Sequence, residues 1–418
     1  MKKNGLFLTF LAAGFVSAVY LASCSQPVFP SGSMNYNEWD PGNQGHFSIV
    51  PRLNYLRQNA QDGGVYDVWV KSDEALQATQ IIHFPGRQNV TIQIQSYGGT
   101  RRILSLDSDS AMFQVQGDTT LILYDIFLQG HGSNNHALLV VNQNSTLKMD
   151  NDSVIRGNYG KGVLVNGGVL TLSSNAAITA GGSEGVHVIK GRVCINDTAQ
   201  IYNNVSGIIA SDSIITMRNS AAIRNNHTRG GISISGASAR LLMFKNAQIH
   251  NNTFAGQIRG AGGVYAKNYS RIYMYENASI HSNHNYSYLG GGGVKLLGSS
   301  ALNMHGNDVN IRNNRSVSQG AGVLAAGSHV NISAGTIYGS SSTWSPGPNS
   351  NWNTSGINPP ARHALHLISS WMSILSTART GEYFPCSNGP GTFNPNPTVR
   401  LSSCTTITVS TNGTSVLW

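Results

Sequence analysis

The sequence predicts an all-β protein built from stacked coils of chain. Segments that open with glycine and a β-branched residue recur at intervals of 23, 22, 24, 32, 30 and 29 residues, a period typical of solenoids. They begin at Gly162, Gly185, Gly207, Gly231, Gly263, Gly293 and Gly322. Each repeat has room for three short strands, and these are too few to bury an apolar face on their own. We therefore expect each coil to pair with the next as a parallel β-helix.

Two side-chain patterns place the core and the corners of each coil. A large aliphatic residue precedes an isoleucine by six residues in each repeat, and we expect both to point inward. The pairs are Met149 and Ile155, Leu172 and Ile178, Ile195 and Ile201, Met217 and Ile223, Met243 and Ile249, and Met274 and Ile280. Asparagine pairs follow the isoleucine, as at Asn225 and Asn226. Stacked asparagines at a corner predict hydrogen-bonded ladders.

The composition excludes other fold classes. Only 11% of the 418 residues are charged, which rules out a coiled coil or a helix bundle. The hydrophobic fraction of 40% and the net charge of +9 argue against disorder. Leucine-rich repeats have a similar period, but this sequence lacks their regular leucines and helical segments. A propeller is also excluded, because each of its blades needs about 40 residues.

The first residues predict export. Lys2 and Lys3 precede an apolar run from Leu6 to Tyr20, which is too short to span a membrane and is typical of a bacterial signal peptide. The tetrad 21–24, Leu-Ala-Ser-Cys, resembles the lipobox of bacterial lipoproteins, whose cysteine is acylated after cleavage. This resemblance implies a membrane anchor at Cys24. It also implies a place in the bacterial cell envelope, at the outer membrane or cell surface.

The chain resembles the right-handed parallel β-helix lipoproteins of spirochaetes, which belong to the pectate-lyase-like superfold. The resemblance rests on the lipobox, the repeated glycine starts, the stretch 126–135 and the stretch 335–340, and it covers most of residues 48–345. Those relatives usually read Gly-Gly-Thr-Phe-Thr-Met in the second strand, whereas here Met243 follows Arg-Leu-Leu. The resemblance implies a surface protein and no particular activity.

These features divide the chain into six parts. We expect a signal peptide at 1–23, a tether at 24–47, an N-terminal cap at 48–88, coils at 89–345, a Pro-, Asn- and Trp-rich loop at 346–362, and a last coil with a C-terminal cap at 363–418. In the cap, Ile49, Leu53 and Leu56 have helical spacing, a strand is expected at 65–70, and residues 72–74 open a second short helix.

An enzymatic function needs carboxylates in pairs or a calcium site. The best acidic cluster is Asp125 and Asp152, with Asp150 and Asp197 nearby, but turn chemistry explains acids at these positions. We therefore predict no catalytic residues. The tripeptide 130–132, Gly-His-Gly, matches a hydrolase motif of the superfold but lacks that motif's paired aspartates.

The histidines and cysteines are the candidates for metal and disulfide chemistry. His250 and His281 share a column and His284 follows, but no carboxylate or cysteine completes a metal shell, so we predict no metal site and no cofactor. Cys386 and Cys404 flank a Pro- and Gly-rich stretch and could form a disulfide in an exported protein. Cys194 is expected to be a small buried hydrophobe.

In each repeat, the residue that follows the inward-pointing isoleucine should point outward. These residues are Arg156, Thr179, Tyr202, Arg224, His250, His281, Arg312 and Tyr338, with no acid among them. They predict a binding stripe for an anionic polysaccharide or a host protein, although a merely solvated face gives the same pattern. Longer repeats after Gly231 place insertions on one side, at 253–261, 282–290 and 316–321, and such sides often bind ligands.

Two functions follow from these features. The preferred one is a lipid-anchored, non-enzymatic surface scaffold for binding or adhesion, and the alternative is a divergent polysaccharide lyase or glycoside hydrolase. The small positive charge permits weak attraction to anionic partners, and we expect no nucleic-acid partner.

The membrane anchor can be tested by replacing Cys24. The variant Cys24→Ala should be released into the soluble fraction, because acyl chains contribute about 0.8 kcal/mol per buried methylene. Fractionation of cells and mass spectrometry of the N-terminal peptide measure this. A variant that still pellets with membranes, beside a wild type without an acylated N-terminus, would contradict the lipoprotein prediction.

Overall fold

The structure is a computed structural model that describes residues 48–256, 260–287, 290–317 and 320–338, with short strands at 352–353, 365–368, 371–374 and 406–409. It is a parallel β-solenoid of about 10 turns, as the repeats predict. The described residues contain one helix, α1, at Ile49–Asn59. The predicted signal peptide, tether, Cys24, Cys386 and Cys404 lie outside the described residues.

Helix α1 covers the N-terminal end of the solenoid. Its apolar side chains Ile49, Leu53 and Leu56 are buried, as their spacing predicts. The backbone N–H of Ile49 donates to both carboxylate oxygens of Glu74, at 3.1 and 3.0 Å. A carboxylate at this position also complements the positive end of the helix dipole.

The second helix, which was predicted to begin at 72–74, is absent, and Glu74–Leu76 is a strand instead. Glu74 pairs with Leu104 in the next coil, so its backbone bonds belong to the sheet. Its side chain is used to cap α1 and not a helix of its own. Together with Val65–Val70 and Gln80–Ile82 this strand forms a complete first coil, within the region assigned to the cap.

Each coil contributes one strand to each of three faces, in chain order. The first face comprises Val65–Val70, Val90–Ser96, Thr119–Tyr124, Thr146–Asp150, Val169–Leu172, Arg192–Ile195, Ile214–Met217, Arg240–Met243, Arg271–Tyr275, the first parts of Ala301–Arg312 and His329–Tyr338, and Trp371–Ile374. All these neighbours pair in parallel.

The second and third faces follow the same order. The second face comprises Glu74–Leu76, Arg102–Leu106, Ile126–Gln129, Val154–Arg156, Ala177–Thr179, Gln200–Tyr202, Ala222–Arg224, Gln248–His250, Ser279–His281 and the last parts of the two long strands, with Thr406–Val409 antiparallel at its end. The third face comprises Gln80–Ile82, Phe113–Val115, Leu139–Val141, Val163–Asn166, Glu184–Ile189, Ser206–Ser211, Ile232–Ser235, Val264–Lys267, Val294–Leu297, Val323–Ala326 and Leu365–Ile368.

A short fourth sheet lies next to the insertions of the longer repeats. Its strands are His227–Thr228, Thr253–Phe254, His284–Asn285, Arg315–Ser316 and Trp352–Asn353, paired in parallel. The buried Asn285 donates to the carbonyls of Gly260 and Gly291, at 3.2 and 3.3 Å. The longer loops are therefore tied to the coils at their base.

The core lies inside the three faces. The inward columns are aliphatic, and the residues of every predicted pair, such as Met217 and Ile223, are buried. Strand alternation sends the residue between two core residues outward. The period of the core pattern thus fixes which side chains can meet a ligand.

A ladder of buried asparagines runs along the corner after the second face. The side-chain amide of Asn226 donates to Asn252, Asn252 to Asn283, and Asn283 to Asn314, at 2.9 to 3.0 Å. Each backbone N–H also donates to the next ladder oxygen, as from Asn226 to Asn252 at 3.0 Å. The amides reach back to isoleucine carbonyls, as from Asn252 to Ile223 at 2.9 Å. The predicted corner ladder is confirmed.

The residue before each ladder asparagine takes left-handed backbone angles. Asn203, Asn225, Asn251 and Asn313 have φ between 54° and 56°. Asparagine tolerates this region better than most residues. The asparagine pairs in the sequence therefore serve two roles, the first residue turning the chain and the second forming the ladder.

Among the described residues, no helix has the length and hydropathy needed to cross a membrane.

The ladder predicts a large effect for Asn252→Ala. The change leaves the backbone N–H of Asn226 and the carbonyl of Ile223 buried without these partners, which should lower the free energy of unfolding by about 3 kcal/mol. Urea denaturation followed by circular dichroism measures it. The exposed turn residue Asn246, changed to alanine, is the control and should cost under about 0.5 kcal/mol. Equal costs would mean that the ladder does not stabilise the corner.

Candidate functional site

The second face brings the predicted stripe residues into one column of paired positions. Arg156 pairs with Thr179 and Thr179 with Tyr202. Tyr202 pairs with Arg224, and the column continues through His250, His281 and Arg312. Tyr338 follows Ile337, the partner of Ile311, and pairs with Thr406 at the end of the face. We call the residues from Arg156 to Arg312 in this register the basic column.

Carboxamides on the same face hold the arginines of the basic column. The Nε–H of Arg156 donates to Gln129 Oε1 at 2.9 Å, and that of Arg224 donates to Gln200 Oε1 at 2.8 Å. Arg312 donates through Nε to Asn310 Oδ1 at 3.0 Å. Because the carboxamide takes the Nε–H, the two Nη groups at the tip of Arg156 and Arg224 can approach an anion, and no acceptor among the described residues engages them.

Aromatic rings lie beneath two of these guanidinium groups. Arg156 lies 4.7 Å from the ring centre of Phe127, and Arg224 lies 4.5 Å from that of Tyr202. A ring below a guanidinium attracts it through the ring quadrupole. The arginines are thus fixed both at Nε and across their planes, which lowers the entropy cost of binding a ligand.

The arginines recur at a regular interval. Arg156, Arg224 and Arg312 are separated by three coils each in the register. With about 4.8 Å per coil, successive arginines lie about 14 Å apart along the axis. This interval is longer than the Debye length at physiological salt, so the three charges repel one another little.

A column in which small residues alternate with carboxamides lies beside the basic column, two residues earlier in each strand. Ala177, Ala222 and Ser279 are buried there and alternate with Gln200 and Gln248. Neither column contains an acid. The second face therefore offers a shallow strip with positive charge along one side.

The two histidines of the basic column are neutral at physiological pH. Their rings stack, with centres 4.9 Å apart. Burial lowers the pKa of His250, and the charge of Arg224 lowers it further. Burial, then His250 and Arg312, lower the pKa of His281 to about 4. The histidines thus act as flat polar surfaces between Arg224 and Arg312.

The acidic cluster is held by structural interactions. Arg101 forms ion pairs with Asp125 and with Asp152, both at 2.8 Å. Asp150 accepts a hydrogen bond from Ser174 Oγ at 2.6 Å, and Asp197 accepts one from Asn219 Nδ2 at 2.8 Å. One cation is thus shared by the first two acids, and turn contacts hold the others.

The remaining sequence candidates are scattered. Among the described residues, no group of three or more His, Cys, Asp or Glu side chains could hold a metal ion. His284 lies in the fourth sheet against Tyr286, with ring centres 3.9 Å apart, and not in the basic column. His131 of the Gly-His-Gly tripeptide is exposed and contacts Ser133.

Cys194 is buried, as expected, but its side chain points away from the core, and it forms a disulfide. Its register partners are Thr171 and Thr216 on the first face. The neighbours Val193 and Ile195 belong to the core instead. The partner cysteine lies outside the described residues.

The sequence alone did not single out the residues that position the arginines. Gln129 and Phe127 lie one coil before Arg156, and Gln200 one coil before Arg224. A usable signal was the amide or aromatic residue that comes about 22 to 29 residues before Arg156 and before Arg224. Arg101 gave no such signal, since its two partners lie 24 and 51 residues away.

No family model, curated protein or solved structure matches this chain.

The low pKa of His281 predicts a pH effect on stability. The unfolded chain protonates this histidine near its ordinary pKa of about 6.5, whereas the folded chain does so only near 4, so stability falls as the pH drops through this window. The variant His281→Gln should lose about 1–2 kcal/mol less than wild type between pH 7 and 4.5. Urea denaturation at both values measures it, and exposed His131→Gln is the control. An unchanged pH dependence in His281→Gln would contradict the burial of this ring.

Proposed function

We propose that the protein is a non-enzymatic, lipid-anchored surface scaffold that binds an anionic polymer along its second face. The observation that carries the proposal is the basic column, in which three arginines recur every three coils and are held by carboxamides. Guanidinium groups fixed in this way match carboxylate or sulfate groups, to which arginine donates two parallel hydrogen bonds.

The spacing of the arginines favours an extended polymer as the ligand. A small anion could meet only one arginine, because the next lies about 14 Å away. A chain with many acidic groups, such as an acidic glycan or an acidic segment of a host matrix protein, can engage all three. Linked weak contacts then act together, so the affinity exceeds that of each contact.

The neutral residues of the basic column suit the same ligand. Tyr202 and the stacked pair of His250 and His281 separate the arginines and carry hydrogen-bonding groups without charge. Ala177 and Ala222 keep the neighbouring column low, which leaves room for a chain to lie flat. The anchor at Cys24, which we infer from the lipobox, would hold this face at a cell surface.

The enzymatic alternative has weaker support. A lyase or hydrolase of the pectate-lyase-like type needs carboxylates free to act as acid, base or calcium ligand. Asp125 and Asp152 share Arg101, and Asp150 and Asp197 bond to turn residues. These contacts give the acids a structural role.

The double variant Arg224→Ser and Arg312→Ser tests the proposal. Its affinity for heparin and hyaluronan, used as sulfated and carboxylated probes, should fall at least tenfold and depend less on salt, because two of three anion contacts are lost. Surface plasmon resonance at several salt concentrations measures this. The melting temperature should change by less than about 2 °C, since neither side chain is in the core.

A matched control removes the same charge from another face. Arg192 and Arg271 lie on the first face, and changing both to serine should alter the affinity less than twofold. If both double variants weaken binding equally, net charge and not the basic column explains it. Binding that survives the loss of Arg224 and Arg312 would direct attention to the loops between Thr253 and Ala321.

A further inference from the structure

The two histidines of the basic column differ in what holds their ring nitrogens. Both rings are neutral at physiological pH, because burial lowers the pKa of each, and they stack with centres 4.9 Å apart. In His281, Nε2 lies 3.3 Å from Gln248 Oε1, and Nδ1 lies 3.1 Å from Ser282 Oγ. Because an amide oxygen only accepts, the Nε2–H of His281 donates to Gln248. Both ring nitrogens of His281 are therefore satisfied within the protein.

His250 keeps one donor free. Its Nδ1 lies 3.1 Å from Asn251 Nδ2, and an amide nitrogen only donates, so Nδ1 accepts and the ring proton is on Nε2. The described part of the chain offers this N–H no acceptor, and the atom is open to solvent. The reason lies one coil earlier, where Ala222 occupies the position equivalent to Gln248. Alanine has no acceptor group in its side chain, so the N–H of His250 remains available to a ligand.

Arg224 presents further donors beside this free N–H. Arg224 and His250 are register partners, so their Cα atoms lie about 4.8 Å apart along the axis. Besides burial, the charge of Arg224 lowers the pKa of His250, which shows that the two groups are close. Gln200 takes the Nε–H of Arg224 at 2.8 Å, which leaves the Nη groups for an anion. Ala222 adds only a methyl group to the strip beside them, so there is space above it.

The combined set of donors suits one kind of anion. A carboxylate meets the two Nη groups of an arginine with both of its oxygens, in one plane. A sulfate or phosphate ester carries a third acceptor oxygen outside that plane. That oxygen can accept from a donor one coil further along. The donor at His250 is neutral, so it adds a hydrogen bond without repelling the charge of Arg224.

We infer that Arg224 and His250 form a subsite for a tetrahedral ester anion, a sulfate or phosphate group carried on the polymer, and that His250 selects this anion over a carboxylate. The inference rests on the proposed function, because it assigns one charged group of the proposed polymer to these two residues. Arg224 supplies the charge, and the Nε2–H of His250 supplies the specificity.

The subsite occurs once in the described part of the basic column. Thr179 follows Arg156 in the register, and its side chain is too short to reach as far as an imidazole. His281 precedes Arg312, but its N–H is already taken. The anion at Arg224 is therefore recognised by its shape, whereas the other two arginines contribute charge.

Three polymers that differ only in their anion test the subsite. Dextran sulfate, dextran phosphate and carboxymethyl-dextran, matched in length and degree of substitution, are bound to the full-length protein at pH 7.5 and one salt concentration. The variant His250→Phe keeps a stacked ring and removes the N–H. Its affinity for at least one ester polymer should fall by about fivefold, the effect of one hydrogen bond, and its affinity for carboxymethyl-dextran by less than about twofold. Surface plasmon resonance measures this.

Two further variants serve as control and as an independent test. His281→Phe should change the affinity for each polymer by less than about twofold, because the N–H that it removes already has an acceptor in the protein. Ala222→Gln places a carboxamide where it can take the N–H of His250, as Gln248 does for His281 in the next coil. This variant keeps the imidazole, yet it should lose the same ester affinity as His250→Phe. Circular dichroism confirms that each variant folds.

The outcomes separate the subsite from the proposed function. Equal losses with ester and carboxylate polymers in His250→Phe, no loss with any polymer, equal losses in His281→Phe, or wild-type ester affinity in Ala222→Gln would each overturn the subsite. The ester that loses more affinity identifies the anion. The double variant Arg224→Ser and Arg312→Ser is measured beside them. If it binds all three polymers as wild type does, the proposed function itself is wrong. If it weakens all three while His250→Phe changes none, only the subsite is wrong.

Discussion

The asparagine ladder is the interaction on which the rest of the structure depends. At each corner after the second face the chain turns through a left-handed residue, and buried backbone groups lose their strand partners. In the coils from Asn204 to Asn314, one side chain per coil satisfies them, donating to Ile223 and Asn283 in the case of Asn252 and accepting from Asn226. Because each asparagine bonds to the next, a coil displaced by one residue would leave several buried groups unsatisfied. The ladder therefore fixes the register of the coils.

Because the coils are in register, residues that repeat in the sequence form regular columns on the surface. Once Ile201 and Ile223 are stacked, Tyr202 and Arg224 must stack as well, and the same holds for every later coil. Charges that are dozens of residues apart in the chain then lie at set distances. The intervening coils carry neutral residues, including the histidine pair with its lowered pKa. The surface thus gains positive charge without like charges in direct contact.

The sequence predicts this fold well because both core and corner repeat, and it predicts the basic column because alternation follows from Ile223 and its equivalents. Contacts that occur once were beyond prediction. Glu74 has the local sequence of a helix start, but it caps α1 from a strand. Arg101 joins Asp125 and Asp152, which only the fold brings together. Cys194 lies between two core residues, so strand alternation places it outward, but its disulfide was not predicted.

Between Asn134 and Asn314, the described ladder has one gap, which leaves one step between coils with fewer side-chain hydrogen bonds than the others. Asn134 bonds Asn158, and the run resumes at Asn204, but the coil between them has Gly181 where the others have the ladder asparagine. There a single bond from the Gly181 N–H to Asn204 Oδ1, at 3.0 Å, replaces the linked amides. A solenoid pulled along its axis carries tension through its coils in series, so its weakest step sets its strength. Under tension, that step is therefore the first place where the coils would separate.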